Sequence, residues 1–120
     1  MPGQGLEPRA ELTEISAGVA RLFADRLGRG PRKTRALWAD GDALVVLLEI
    51  DFTRAEEVLR DGGQVEHVVT ARRVLQEMLE SDLRAIVEAA TGRRVRTVLT
   101  SARVDPEVSA EIFLFVPVRA

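Results

Sequence analysis

His67 is the only histidine in this 120-residue chain, and cysteine and tyrosine are absent. An imidazole that acts as a base or a metal ligand needs a nucleophile, a carboxylate or further ligands at recognisable spacing. None accompanies His67, which reads as a surface position near a helix start. The serines Ser16, Ser81, Ser101 and Ser109 all lack the G-x-S-x-G frame of a nucleophile elbow. Asp40 and Asp42 flank Gly41 as turn residues, not as a calcium loop. Glu56, Glu57, Glu77 and Glu80 fall at spacings suited to helix caps and surface ion pairs. The expectation is therefore no catalytic residue, no metal, no cofactor and no enzymatic activity.

Basic residues are the other chemically active group. Arg26, Arg29, Arg32, Lys33 and Arg35 crowd one loop, and Arg93, Arg94 and Arg96 another. Both loops follow helices and lead into strands, so the reading places them together at one end of a sheet. Arg29, Arg32, Lys33, Arg93 and Arg94 are then candidates to hold an anion or an acidic partner. A small-ligand or anion sensor built on loops 29–35 and 93–96 is the alternative function. Gly28-Arg29-Gly30-Pro31 and Thr91-Gly92-Arg93-Arg94 are not phosphate cradles, because each follows a helix and faces its negative end. The net charge of −2 and the near-absence of aromatics argue against nucleic acid.

The elements that must carry these groups follow from hydrophobic spacing. Leu12, Ile15, Val19, Leu22 and Phe23 share one face of a helix over residues 10–27, which Gly28 ends. Residues 34–39 and 43–50 alternate as two strands, joined at Asp40-Gly41-Asp42, where Asp-Gly accepts the positive φ of a tight hairpin. Thr53-Arg54-Ala55-Glu56 has the form of a capping box and opens a short helix. One long helix is expected from Val65 to Ala90, its inward stripe being Val68, Ala71, Leu75, Met78, Leu79, Ile86 and Ala89. Residues 94–103 and 110–118 close the chain as a second strand pair around Asp105-Pro106. The order α-β-β-α-α-β-β predicts an α+β, two-layer sandwich: a four-stranded, mainly antiparallel sheet with helices packed on it.

Both faces of that sheet carry apolar residues. Phe113 and Phe115 alternate with Ile112 and Leu114, and Val45 and Leu47 with Leu44, Val46 and Leu48. A single helical layer covers only one face, and an apolar face left open invites a second subunit. Phe113, Phe115, Val45 and Leu47 are the expected contacts of a homodimer.

The chain has the length of one domain, assigned to residues 10–118 after a disordered tail at residues 1–9. No apolar run reaches the ~20 residues of a membrane-spanning helix, and no signal-peptide core is present. With no cysteine, a cytoplasmic protein without direct membrane insertion is expected.

Several segments in fixed order carry a resemblance. They are Leu27-Gly28-Arg29-Gly30-Pro31, Asp42-Ala43-Leu44-Val45-Val46-Leu47-Leu48-Glu49, Phe52-Thr53-Arg54-Ala55-Glu56 and Ala71-Arg72-Arg73-Val74-Leu75, then Thr91-Gly92-Arg93-Arg94-Val95 and Glu111-Ile112-Phe113-Leu114-Phe115. Across residues 12–116 the pattern resembles the MpsC-like family of small bacterial proteins. Arg54 stands where that family commonly has proline. The resemblance implies an accessory component of a sodium-linked, membrane-potential-generating system associated with inorganic-carbon uptake. It implies docking on a larger transport-system subunit, and it brings no catalytic residues.

Overall fold

The computed structural model describes residues 8–118. Helix α1 (Pro8–Leu27) leads into strands β1 (Lys33–Asp40) and β2 (Ala43–Glu49). Helices α2 (Arg54–Asp61), α3 (Val65–Met78) and α4 (Glu80–Thr91) follow, then β3 (Val95–Val104) and β4 (Glu107–Phe115). The sheet order is β1-β2-β4-β3, and every neighbouring pair is antiparallel. The expected α+β sandwich is the observed fold, with four helices where three were expected. Of the expected tail, residues 1–7 lie outside the described residues, and Pro8 and Arg9 already belong to α1.

All the packing is on one side of the sheet. Leu44, Val46 and Leu48 of β2 and Phe113 and Phe115 of β4 are fully buried against Ile15, Val19 and Phe23 of α1 and Leu83 and Val87 of α4. The ends of α1 and α4 are set by glycines in the left-handed region, Gly28 at φ 81° and Gly92 at φ 69°. Gly41 does not take the positive φ expected of it. The hairpin closes instead through the Asp40 carboxylate, which accepts the Asp42 N–H at 2.8 Å.

The expected long helix breaks at Leu79, whose backbone (φ −90°, ψ 5°) ends α3 and opens α4 without proline or glycine. Leu79 is itself buried, so the break keeps an apolar side chain on the core. The inward stripe also differs by one position. Val68, Arg72, Gln76, Leu79, Leu83 and Val87 face the sheet, while Val74, Leu75 and Met78 are exposed. The shift has a polar cause. Arg72 and Gln76 are needed beneath the helix to meet backbone and side-chain groups described below.

Phe113 and Phe115 were expected on the dimer face, and this is corrected by strand register. Phe113 pairs with Leu44, so it shares the covered face, and residues directly opposite project to one side. Val45 pairs instead with Ile112 and with Leu37, and Ile112 with Leu99. The open face thus carries one apolar row across all four strands, Leu37–Val45–Ile112–Leu99, flanked by Leu47 and Leu114.

Helices α1 and α4 approach closely at Gly18, where an added Cβ would meet Ile86 Cγ2 at 2.9 Å. Gly18→Leu is expected to cost about 1–3 kcal/mol by overpacking, read from urea denaturation. Ile86→Ala in the same chain should recover part of that loss. Full independence of the two substitutions would show that the helices separate freely.

Candidate functional site

The structure separates the two basic loops. Along the order β1-β2-β4-β3 the strands alternate in direction, so β1 and β3 run oppositely and begin at opposite ends of the sheet. Arg29, Arg32 and Lys33 therefore lie at one end and Arg93 and Arg94 at the other. The expected single patch does not form. Arg32 is engaged with Glu49 at 3.0 Å and Asp51 at 2.9 Å.

Arg93 is a tie, not a free cation. Its guanidinium donates to the Gly41 and Val116 carbonyls and the Asp42 carboxylate, and lies 4.7 Å from the centre of the Phe115 ring. It thereby pins the β1–β2 turn to the end of β4. Trp38 completes the cluster on the helix side, its ring centroid 5.3 Å from that of Phe115. Lys33 and Arg94 are exposed, and His67 is exposed on the first turn of α3. Among the described residues no three His, Asp or Glu side chains gather as metal ligands.

Sequence reasoning missed the residues that the core holds most firmly. Arg72, 5% exposed, donates from Nε and Nη2 to both oxygens of Glu56, at 3.1 and 2.8 Å. It also donates to the carbonyls of Ile50 and Asp51, each at 3.1 Å. Glu56 meanwhile completes the expected capping box, accepting the Thr53 N–H while its own N–H donates to Thr53 Oγ1. Partial burial pushes the Glu56 carboxyl upward, but the bonds from Arg72 and Thr53 outweigh it and hold it below the ordinary carboxylate value. One bidentate pair thus joins α3, the N-terminus of α2 and the chain leaving β2. The signal in the sequence was the break in the apolar stripe at Arg72.

A second buried group is Glu111. It lies mid-sheet on the covered face, between Val46 and Thr100, and is completely shielded. Thr100 Oγ1 donates to one of its oxygens at 2.6 Å, while the other oxygen has no partner. Nearby, Gln76 Nε2 donates to Ser109 Oγ at 3.3 Å and Gln76 Oε1 is likewise unpaired. Burial pushes the Glu111 carboxyl up to about 7; the Thr100 bond opposes this, and Glu77 and Glu80 add to it. Nothing in the strand's alternation distinguishes this glutamate from a solvent-facing one, because its outward neighbours Ile112 and Leu114 are apolar.

Two hollows border the Arg72 hub. One, of about 180 Å³, is walled by Phe23, Leu27, Ile50 and Leu75, with Arg72 and Gln76 at its inner side. The other is an open polar bowl lined by Arg29, Arg54, Arg60, Glu57 and Glu107 around Phe52. Arg29 belongs to both.

A family model described as the Na+-translocating membrane potential-generating system (MpsC) matches residues 10–116, nearly the whole chain. The chain belongs to the MpsC family. Comparison with curated proteins and with solved structures finds no significant match. The MpsC match spans both strand pairs and all four helices, so the Arg72–Glu56 hub and the open sheet face lie within it. No helix among the described residues is long and apolar enough to cross a membrane.

Arg72→Ala is expected to cost about 3–5 kcal/mol, because it leaves Glu56 and two carbonyls without their buried donor. Chemical denaturation against the wild type measures it, and a loss below about 1 kcal/mol would show the hub to be dispensable.

Glu111 yields a pH dependence. The folded chain holds its proton to about pH 7, against 4.5 for an unperturbed carboxyl. The folded state thus binds more protons between these values, and stability falls as pH rises through that window. Glu111→Gln, neutral throughout, should gain on the wild type by up to about 3 kcal/mol between pH 4.5 and pH 8. A difference that stays flat with pH, in urea titrations across the window, would refute the shift.

Proposed function

We propose that this MpsC-family chain is a non-enzymatic accessory domain that works by protein–protein docking. The observation that carries the proposal is the uncovered sheet face. Its row Leu37–Val45–Ile112–Leu99 crosses all four strands, and Leu37 and Leu99 are 42% and 50% exposed. A four-stranded sheet with one face packed ordinarily presents polar residues on the other. Here charge gathers toward one end of the open face, where Lys33, Glu49 and Arg103 lie in register with Val108 and Arg35 lies opposite Leu47, while Asp40 stands opposite Ala43 at the other end.

The first occupant proposed is a second copy of the chain. A two-fold axis in the sheet plane and across the strands sets the basic end of each subunit over the apolar end of its partner. Like charges are then kept apart while the apolar rows close on each other. Such a dimer, acting from the cytoplasm, would dock on a larger subunit of the membrane-potential-generating system through its remaining surfaces.

Ile112→Glu places a carboxylate at the centre of the row and away from the core. Light scattering should give twice the chain mass for the wild type at micromolar concentration and a folded monomer for the variant. A wild type that stays monomeric to several hundred micromolar would overturn the dimer. Unchanged dimerisation in the variant would place the contact elsewhere.

A further inference from the structure

The hollow beside the Arg72 hub has the build of a ligand site. Its volume of about 180 Å³ is comparable to an engineered apolar cavity of ~150 Å³ that binds benzene. Its apolar walls are the side chains of Phe23, Leu27, Ile50 and Leu75, and Asp51, Thr53 and Glu56 line it as well beside Arg29, Arg72 and Gln76. The fold does not close it, because the position that would fill it from α3 is taken by Arg72, held in place by Glu56 and two carbonyls.

The rim supplies a charge. Arg29 is exposed, borders both the apolar hollow and the polar bowl, and makes one hydrogen bond among the described residues, to the Phe52 carbonyl at 3.3 Å. Most of its five N–H groups are thus free to meet an incoming anion. Of the four carboxylates close to it, three are already engaged, and the fourth, Glu57, lines the polar bowl and not the apolar hollow. Asp51 is paired with Arg32, Glu56 with Arg72, and Glu107 accepts the Phe52 N–H at 2.9 Å. Arg54, also exposed, adds a second cation on the bowl side.

We propose that this hollow binds a small amphiphilic carboxylate, its apolar body of five to seven heavy atoms against Phe23, Leu27, Ile50 and Leu75 and its carboxylate on Arg29. The site lies beneath α3, away from the open sheet face, so it stands or falls separately from the docking role. Arg93 and Arg94 take no part in it. The chemistry required is an apolar body of limited length ending in a planar anion, which a guanidinium grips through parallel hydrogen bonds.

The test uses the full chain, ¹⁵N-labelled, titrated with hexanoate, with hexan-1-ol as the neutral counterpart and with inorganic phosphate. Hexanoate should give saturable shifts at the Ile50, Leu75 and Gln76 amides. Hexan-1-ol should bind about tenfold more weakly, the equivalent of one charge-assisted contact. Phosphate, lacking the apolar body, should not move those amides. Arg29→Gln should weaken hexanoate about tenfold and leave hexan-1-ol unchanged. Leu75→Trp, at the lip, should abolish both; Leu27→Phe fills the same hollow from α1 should the first variant not fold. Absence of saturable hexanoate shifts in the wild type would overturn the proposal. So would hexanoate binding that survives filling of the hollow, or that ignores Arg29→Gln.

Discussion

The rest of the structure depends on a single buried guanidinium. Arg72 neutralises Glu56 and caps two carbonyls at the point where the chain leaves the sheet and turns into α2. Those carbonyls cannot be met by the sheet, because β2 has ended, nor by α2, which has not begun. A buried acceptor without a donor is costly, so a long donor side chain must reach them from the layer above. The position on α3 that can reach is on its inward face, and placing an arginine there displaces an apolar residue from the core. The rotation of α3's buried stripe, the exposure of Leu75 and the adjoining hollow all follow from that displacement.

The same logic governs the middle of the covered face. Glu111 and Gln76 occupy sites where an apolar pair would pack, and each is left with an unpaired oxygen. Glu111 holds its proton to about neutrality because it is buried and because Glu77 and Glu80, at the α3–α4 break, add their charge. The pH behaviours of the two buried acids are opposed. Glu56 is stabilised as an anion, so its contribution is lost as pH falls. Glu111 is stabilised as a neutral acid, so its contribution is lost as pH rises. Between them the fold favours mildly acidic to neutral conditions.

The helical layer and the open sheet face divide the molecule's work. On the covered side the Arg72–Glu56 pair anchors α2 and α3 to the chain leaving β2. The other side carries an apolar row with charge at one end, a distribution that suits an oriented contact with a protein surface. Membership of the MpsC family, described as a Na+-translocating membrane potential-generating system, is the setting in which the docking role is proposed.

The amino-acid sequence by itself determined the element types, the order of strands and helices, the helix stop at Gly28, and the capping box at Thr53 and Glu56. These are local matters, decided by spacing over a few residues and by backbone preferences. Which face of β4 is inward was decided only by pairing. Alternation separates Phe113 and Phe115 from Ile112 and Leu114, but register with Leu44 and Val45 assigns each set to a side. The opposite placement of the basic loops likewise rests on a strand order that no local pattern encodes. The break at Leu79, the inward turn of Arg72 and the burial of Glu111 were settled by tertiary contacts. The hydrogen-bond partners of Arg72 and Glu111 lie 11 to 22 residues away, and a polar side chain reads the same in sequence whether water or the core receives it.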